Sequence, residues 1–517
     1  MKLNLRQSLL SGNYDAVPAA IAGFILIQML CAFGGVGVSP DSVVYISTAQ
    51  NIHDHGKIYD FSNMPVMDFP AFYPTFLSGF LFLTGSKVRN FGPILDGLLF
   101  ATVIGLCGYI MNRFTRVTRT YKALLLVFIV LSPCLLEVYS MIWSETLYLL
   151  LSIVFIVTAH GYFQTHSLRW LVAMGLVAGF ACITRYAGVS LVALGGLLLL
   201  CDGRLRWSPR KFGHWGLYAV LAVLPLALNL HRNWKLTKTL TGFREPGETP
   251  FSSNLHFFGT VLCDWLPFFN ERYGAATFVA VVFILGITGR FVYRLVRRTD
   301  IFSYSNLASS YFVVYGGFIL YTATVSRFQP LDSRLLSPLF LPWLWGSSSW
   351  IPPVLKRCPR PWKNLAVAAS LAAAGCFIYG EIHEFRDNWE GIHFAGIPGY
   401  TETSWRTSET LNFVKSHKDS LEKAGPIYSD AFEGLWFLAD MHSDLLPHKD
   451  NPEDIRWMMR HRQFTVIWFD DAINWDLIDL DLMRTRKVLV RELRFKDGAI
   501  YSFEGPPESQ IPPKPKN

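Results

Sequence analysis

Along the first 380 positions, apolar runs of 15 to 23 residues alternate with short polar stretches that carry most of the charge. A bilayer core about 30 Å thick takes about 20 helical residues per crossing, so runs of this length predict membrane-spanning helices. They fall near 17–38, 91–112, 123–140, 144–162, 170–184, 187–201, 214–231, 274–290, 303–325, 335–351 and 364–380. The pattern predicts a mainly α, polytopic membrane protein with eleven transmembrane helices. Pro70–Gly85 is also apolar, but it is short and carries Pro70 and Pro74; it reads as an interfacial or re-entrant helix. The segments 170–184 and 187–201 read as a tight hairpin turning at Thr184-Arg185-Tyr186.

Beyond position 380 the pattern changes. Helical periodicity runs through Ser404–His417 and Pro452–Arg462, and strand-like runs occur at Pro426–Ser429, Phe464–Phe469, Lys487–Val490 and Ala499–Phe503. The chain therefore divides into a transmembrane part, 1–380, and a small soluble α/β domain, 381–517, whose Pro-rich end from Gly505 is expected to fray.

Composition narrows the class. Apolar residues make up 51% and charged residues only 17%, against roughly 25% in soluble domains, which excludes a water-soluble enzyme. The 15% aromatic content excludes a disordered scaffold. The net charge of +8 is a sum of opposites: +15 over 1–380 and −7 over 381–517. The basic surplus thus belongs to membrane loops, where it sets orientation, and gives no support to a nucleic-acid partner. With the N-terminus inside, the clusters at Lys2/Arg6, Arg113–Lys122, Arg204–Lys211, Arg290–Arg298 and Lys356–Lys363 all fall in the cytoplasm, and the C-terminal domain lies outside a cytoplasmic membrane. Acidic residues crowd the opposite face, Glu245 and Glu271 among them. The first apolar stretch is too long for a signal-peptide core and reads as an uncleaved anchor. The eight cysteines sit mostly inside apolar runs as small hydrophobes.

Polar chemistry therefore points outward. The first outer loop, 39–70, opens with Ser39-Pro40-Asp41-Ser42. Asp41 at a helix start either caps the helix or acts as a general base on a hydroxyl; both readings stand at this point. Val44, Ile46, Thr48, Ala49 and Ile52 form a stripe suited to a helix lying along the interface. Ionisable groups at membrane depth are functional candidates by default, which singles out Asp96, Glu137, Glu145 and Arg185. Asp96, after Pro93 near the outer start of its span, is placed to reach water. Arg185, Arg232, Arg244, Arg327 and Arg334 lie outside against the positive-inside trend, and arginine is suited to a phosphate. His53-Asp54-His55 is weak support for a metal, and no P-loop, dinucleotide fingerprint or GxSxG elbow occurs in a suitable context. No cofactor is expected.

The spacing Asp41-x-x-x-Tyr45-x-x-x-Ala49-x-Asn51-Ile52-x-x-x-Gly56, followed by Pro70-x-x-Tyr73-Pro74, resembles the first outer loop of GT-C membrane glycosyltransferases. The similarity is to the branch of protein O-mannosyltransferases and lipid A aminoarabinose transferases. Trp143-Ser144-Glu145, Thr184-Arg185-Tyr186-Ala187-Gly188, Arg232-Asn233 and Asp332-Ser333-Arg334-Leu335-Leu336-Ser337-Pro338 extend it over roughly 17–350. The resemblance implies Asp41 as catalytic base, and Arg185, Arg232 and Arg334 as partners of a polyprenyl-phosphate sugar donor. On this reading Tyr45, Asp68 and Tyr73 are expected to line the sugar pocket, and Glu145 to orient the acceptor or an arginine. The wider superfamily often places a second acidic residue beside the first. Only one stands here, which favours a metal-independent mechanism and leaves Asp68 as the remaining candidate.

The expected activity is transfer of a sugar, with inversion, from a polyprenyl-phosphate donor to a hydroxyl of a lipid, glycan or protein acceptor at the outer membrane face. The alternative is a transporter or flippase of lipid-linked sugars; the paired halves with broken midplane helices usual for that class are not visible in the sequence.

Overall fold

Long apolar stretches that must satisfy their backbone groups internally become helices, and these dominate the computed structural model, which describes residues 14–114, 118–204, 208–242, 244, 246–266, 273–327, 329–349, 351–470 and 476–506. Lys2, Arg6, Glu245, Glu271 and the chain beyond 506 lie outside the described residues. In chain order the helices of the apolar part are α1 (Ala16–Cys31), α2 (Pro40–His55), α3 (Phe72–Thr84), α4 (Val88–Met111), α5 (Arg119–Leu131), α6 (Pro133–Tyr139), α7 (Ser144–Thr165) and α8 (Leu168–Thr184). They continue as α9 (Val189–Cys201), α10 (Pro209–Thr237), α11 (Phe251–Asp264), α12 (Ala276–Arg297), α13 (Tyr304–Val325), α14 (Ser333–Ser348), α15 (Ile351–Arg357) and α16 (Arg360–Ala395).

Six helices among the described residues are long and apolar enough to cross a membrane, and α5 with α6 makes a seventh bent by 49°. Four shorter apolar helices, α1, α3, α8 and the pair of a 3-10 turn with α9, stand beside them. The expected single span 123–140 is thus a broken one. Pro133 has no N–H to continue the ladder and holds Ser132 at ψ 116°, outside the helical region. Pro70–Gly85 folds as the short α3, ended by Gly85 at φ +61°. The hairpin at Thr184-Arg185-Tyr186 is present, with the 3-10 turn Tyr186–Gly188 at its tip.

α16 does not stop at the expected boundary near 380. It runs unbroken for 36 residues, only 6% of its apolar window being buried by protein. The soluble part then forms α17 (Thr403–Thr407), α18 (Glu409–Ser416), α19 (Lys418–Lys423), β1 (Ile427–Ser429), α20 (Phe432–Ala439), β2 (Asp444–Leu445), α21 (Pro452–Met459), β3 (Gln463–Phe469), α22 (Leu480–Arg486), β4 (Val488–Phe495) and β5 (Gly498–Glu504). Its sheet has the order β2-β1-β3-β5-β4, parallel across β2-β1-β3 and antiparallel beyond. The four expected strands are present; α20 and β2 had no legible signal.

The sheet's two faces are buried differently. Tyr428, Phe464, Val466 and Phe503 belong to a local cluster with α21 and α22. Ile427, Ile467 and Ile500 belong instead to the core that continues into the helical bundle. The extended stretch 34–39 is pinned from both sides. Gly37 exchanges backbone bonds with Ser140 and Ile142 at 2.8 and 3.1 Å, while Val38 accepts from the Tyr400 N–H at 2.8 Å. A side chain at Gly37 would collide with Met141 and Ile397.

Candidate active site at the start of the first loop helix

Helix α2 begins with Ser39 in extended backbone, Pro40 at its first position, and reciprocal bonds between Ser39 and Ser42 that form a capping box. Ser39 is therefore the cap, and Asp41 is released from that duty. Its carboxylate faces Arg334 instead: Nη2 of Arg334 donates to Oδ2 of Asp41 at 2.5 Å. Of the expected stripe on α2, Ile46, Thr48 and Ala49 are buried in protein, while Val44 and Ile52 are half-buried; α2 packs on α3 and α20.

Arg334 sits in the first turn of α14, whose start is fixed by Asp332 accepting from the Leu335 N–H at 2.8 Å. Its Nε donates to Glu145 Oε1 at 2.7 Å, and its guanidinium lies 4.2 Å over the ring of Trp143. Trp143 in turn donates to Ser39 Oγ at 2.8 Å. The second oxygen of Glu145 takes Nη1 of Arg185 at 2.6 Å, and Arg185 also donates to Ser144 Oγ at 3.0 Å. Glu145 is fully buried. Asp41, Arg334, Glu145 and Arg185 thus form one alternating chain of charge, neutral in sum, with Asp41 at its more exposed end. Buried ions need such pairing, because desolvation otherwise costs several kcal/mol per ion. The chain leaves one donor unused: Nε of Arg185 is buried and has no acceptor among the described residues.

The C-terminal part, which carries the sheet, supplies a further acid. Glu433 opens α20, accepts a bond from the Tyr400 hydroxyl at 3.4 Å, and feels the charge of Asp41. Burial, with Asp41 adding repulsion, pushes its carboxyl up to about 7. No protein-family model and no curated protein matches this chain. Solved structures do. ArnT from Cupriavidus metallidurans bound to undecaprenyl phosphate superposes with a TM-score of 0.53 at 13% identity, covering 97% of this chain and 98% of that one. The same protein in the apo state gives 0.53 at 13% identity over 94% and 96%. This chain shares the fold of ArnT. Mycobacterial arabinofuranosyltransferase AftD also matches, with a TM-score of 0.48 at 13% identity over 95% of this chain and 39% of its own.

Within this fold the expected site residues separate into two groups. Asp41, Glu145, Arg185 and Arg334 come together as above. Tyr45 joins them through its hydroxyl, 3.2 Å from Ser144 Oγ, but it is buried, with its ring edge-on to Phe69 and Tyr73. Tyr73 is buried completely, so both tyrosines build a wall behind the charge chain. Asp68 and Arg232 lie in a separate layer. Asp68 is exposed and rests against Gly242, where φ is +77° and a Cβ would have no room. Arg232 donates to the carbonyls of Ile58 and Val66 at 2.8 and 3.1 Å, tying down the loop that follows α2. Asn51 does similar work, donating to Tyr59 and Asp60 carbonyls, and Gly56 ends α2 at φ +66°.

Other candidates settle differently. Asp96 does not reach water: it is fully buried in α4, and neither carboxylate oxygen has a partner among the described residues. His53 bonds its neighbour Asp54 at 2.6 Å on the exposed end of α2. Sequence reasoning passed over Trp143 as the platform under Arg334, Ser39 as the cap, and Glu433. The first two had a signal, in Ser-Pro at a helix start and in the Trp beside Glu145; Glu433 had none.

Proposed function

We propose that this chain is an integral membrane glycosyltransferase that moves a sugar from a polyprenyl-phosphate donor to an acceptor hydroxyl. Residues 1–380 are its transferase part and 381–517 its soluble domain, both working at the outer face of the cytoplasmic membrane. The observation that carries the reading is the pairing of a partly exposed carboxylate, Asp41, with two arginines through Glu145, one arginine keeping a buried donor unused.

Asp41 accepts the proton of the acceptor hydroxyl as its oxygen attacks the anomeric carbon. The bond from that carbon to the phosphate oxygen breaks, the sugar inverts, and the electron pair stays with the polyprenyl phosphate. Arg334 and Arg185 meet the charge that develops there, Arg185 through the Nε that has no acceptor among the described residues. Glu145 holds both guanidiniums in place, with Tyr45 and Tyr73 as the rigid backing. Arg232 positions the loop of Asp68 beside the sugar. The bound undecaprenyl phosphate of the ArnT structure supports a lipid phosphate as the donor's carrier.

The test is transfer from a radiolabelled polyprenyl-phosphate sugar by the purified chain in nanodiscs, with a cell-envelope lipid extract as acceptor. The wild type is expected to label a glycolipid or protein, and Asp41→Asn is expected to lose that labelling. Normal transfer by Asp41→Asn removes Asp41 as base. Movement of the donor across the bilayer without transfer overturns the enzyme reading in favour of a flippase.

A further inference from the structure

Beside the charge chain lies a cavity of about 670 Å³ that none of these roles uses. Its near wall is Ser39, Pro40, Trp143 and Ser333, residues that flank Asp41, Glu145 and Arg334 in the chain. The cavity and the charge chain therefore share a partition. Its other walls carry Glu137 from α6, Asp264 from the end of α11, and Glu381 and Glu384 from α16. Among the described residues, no lysine, arginine or histidine lines it. Glu381, Glu384 and Asn388 follow one another at helical spacing, so α16 turns a single polar stripe into this space.

Glu381 is the deciding residue. It is 6% exposed, it lines the cavity, and its Oε2 is buried with no hydrogen-bond partner among the described residues. Oδ1 of Asp264 is in the same condition. Carboxyl groups removed from water keep a proton unless a cation or several donors meet them, so an arriving cation finds ready partners here. These acids do not converge: among the described residues, no three ligating side chains meet as around one metal ion. Spread acids suit an organic cation carrying its amines at separated positions, and Trp143, Trp265 and Phe385 add aromatic faces for such a group. With no basic side chain among its described lining residues, the cavity offers an anion no counter-charge. The donor's phosphate therefore stays on the arginine side of the partition, and the cavity serves the other reactant.

We propose that this cavity seats an amine-bearing acceptor, its ammonium groups held by Glu381 and Glu384 and its hydroxyl presented across the Ser39–Trp143 partition to Asp41. The word acceptor rests on the transferase reading; the preference for an organic cation does not.

Spermine is the probe, titrated calorimetrically into the full chain in phosphatidylcholine nanodiscs, with fully acetylated spermine as the neutral control and undecaprenyl phosphate binding measured in parallel. Saturable spermine binding is expected. Glu381→Gln with Glu384→Gln is expected to weaken it at least tenfold and to leave undecaprenyl phosphate binding unchanged. Equal binding of the acetylated probe, an unaltered affinity in the double variant, or no binding to the wild type overturns the cavity assignment. Should the double variant misfold, losing undecaprenyl phosphate binding as well, Asp264→Asn and the acetylated probe carry the same test. In the transfer assay spermine is expected to raise the apparent KM for the extract and leave the donor KM alone; competition with the donor overturns the acceptor role. Spermine binding in a chain that neither binds undecaprenyl phosphate nor transfers sugar leaves the cavity standing and removes the transferase reading.

Discussion

Arg334 and Asp41, 293 positions apart in the chain, meet at 2.5 Å, and the same guanidinium is anchored from behind by Glu145. The arginine is thus oriented by one carboxylate and orients the other. A carboxylate held in this way is fixed in direction while staying open on its solvent side. Substitutions along the chain of charge should therefore separate into losses of chemistry and losses of architecture.

Asp41→Asn keeps the shape of the side chain and removes the proposed base. Transfer is expected to fall about 10²–10⁴-fold, the usual contribution of general base catalysis. Undecaprenyl phosphate affinity should hold or increase, because Arg334 loses a competing anion. Native mass spectrometry of the lipid-loaded chain alongside the transfer assay checks both.

Glu145→Gln acts on architecture. It leaves the largely buried guanidinium of Arg185 without its counter-charge and Arg334 with Asp41 alone. Removing one partner of a buried ion pair costs about 3–5 kcal/mol, so thermal unfolding in detergent should show a marked drop in Tm. Glu145→Asp keeps the charge and should recover part of it. An unchanged Tm in the Gln variant would contradict the pairing described here.

Arg232→Ala should loosen the loop it ties down. The carbonyls of Ile58 and Val66 lose their donors, so limited proteolysis is expected to nick the chain between residues 57 and 67 while the wild type resists. Donor KM should change little. A large rise in donor KM with the loop still protected would instead put Arg232 on the phosphate.

The pH dependence follows from the soluble domain. Burial pushes the carboxyls of Asp430 and Glu433 up to about 7. Between about 4, where an unfolded chain gives up these protons, and 7, the folded chain binds more protons than the unfolded one. Their stabilisation is thus present below the ordinary carboxylate range and is lost as pH rises through 7. The Tm of the full chain should fall from pH 5 to pH 8, and Glu433→Gln should make that fall shallower by raising the Tm at pH 8. A steeper fall in the variant would reverse the sign and reject the assignment.

Much of the bundle was legible because span length is set by the bilayer and leaves a direct mark in hydropathy. The break at Ser132-Pro133 was written in the sequence as well, but an apolar run on both sides of a proline reads as one segment until its bend is seen. Asp41 shows a different limit. Ser39-Pro40 is a helix-start signature that assigns the cap to Ser39, yet what Asp41 does once freed depends on Arg334, which no local pattern brings near. Asp68 illustrates the converse, since it is close to the motif in sequence but is drawn with Arg232 into a separate layer. Glu433 was unreadable for the strongest reason: its place beside Asp41 exists only after the soluble domain has folded and docked.

The pinned stretch before α2 gives the soluble domain a mechanical meaning. Residues 36 to 38 are gripped on one side by the turn at 140–142 and on the other by 400 and 401, so the segment that launches Asp41 is splinted between two bodies. A chain trimmed after α16 would not be a smaller version of the same protein. It would be one whose aiming device had been unclamped on one side, and any activity measured on it would report that slackness.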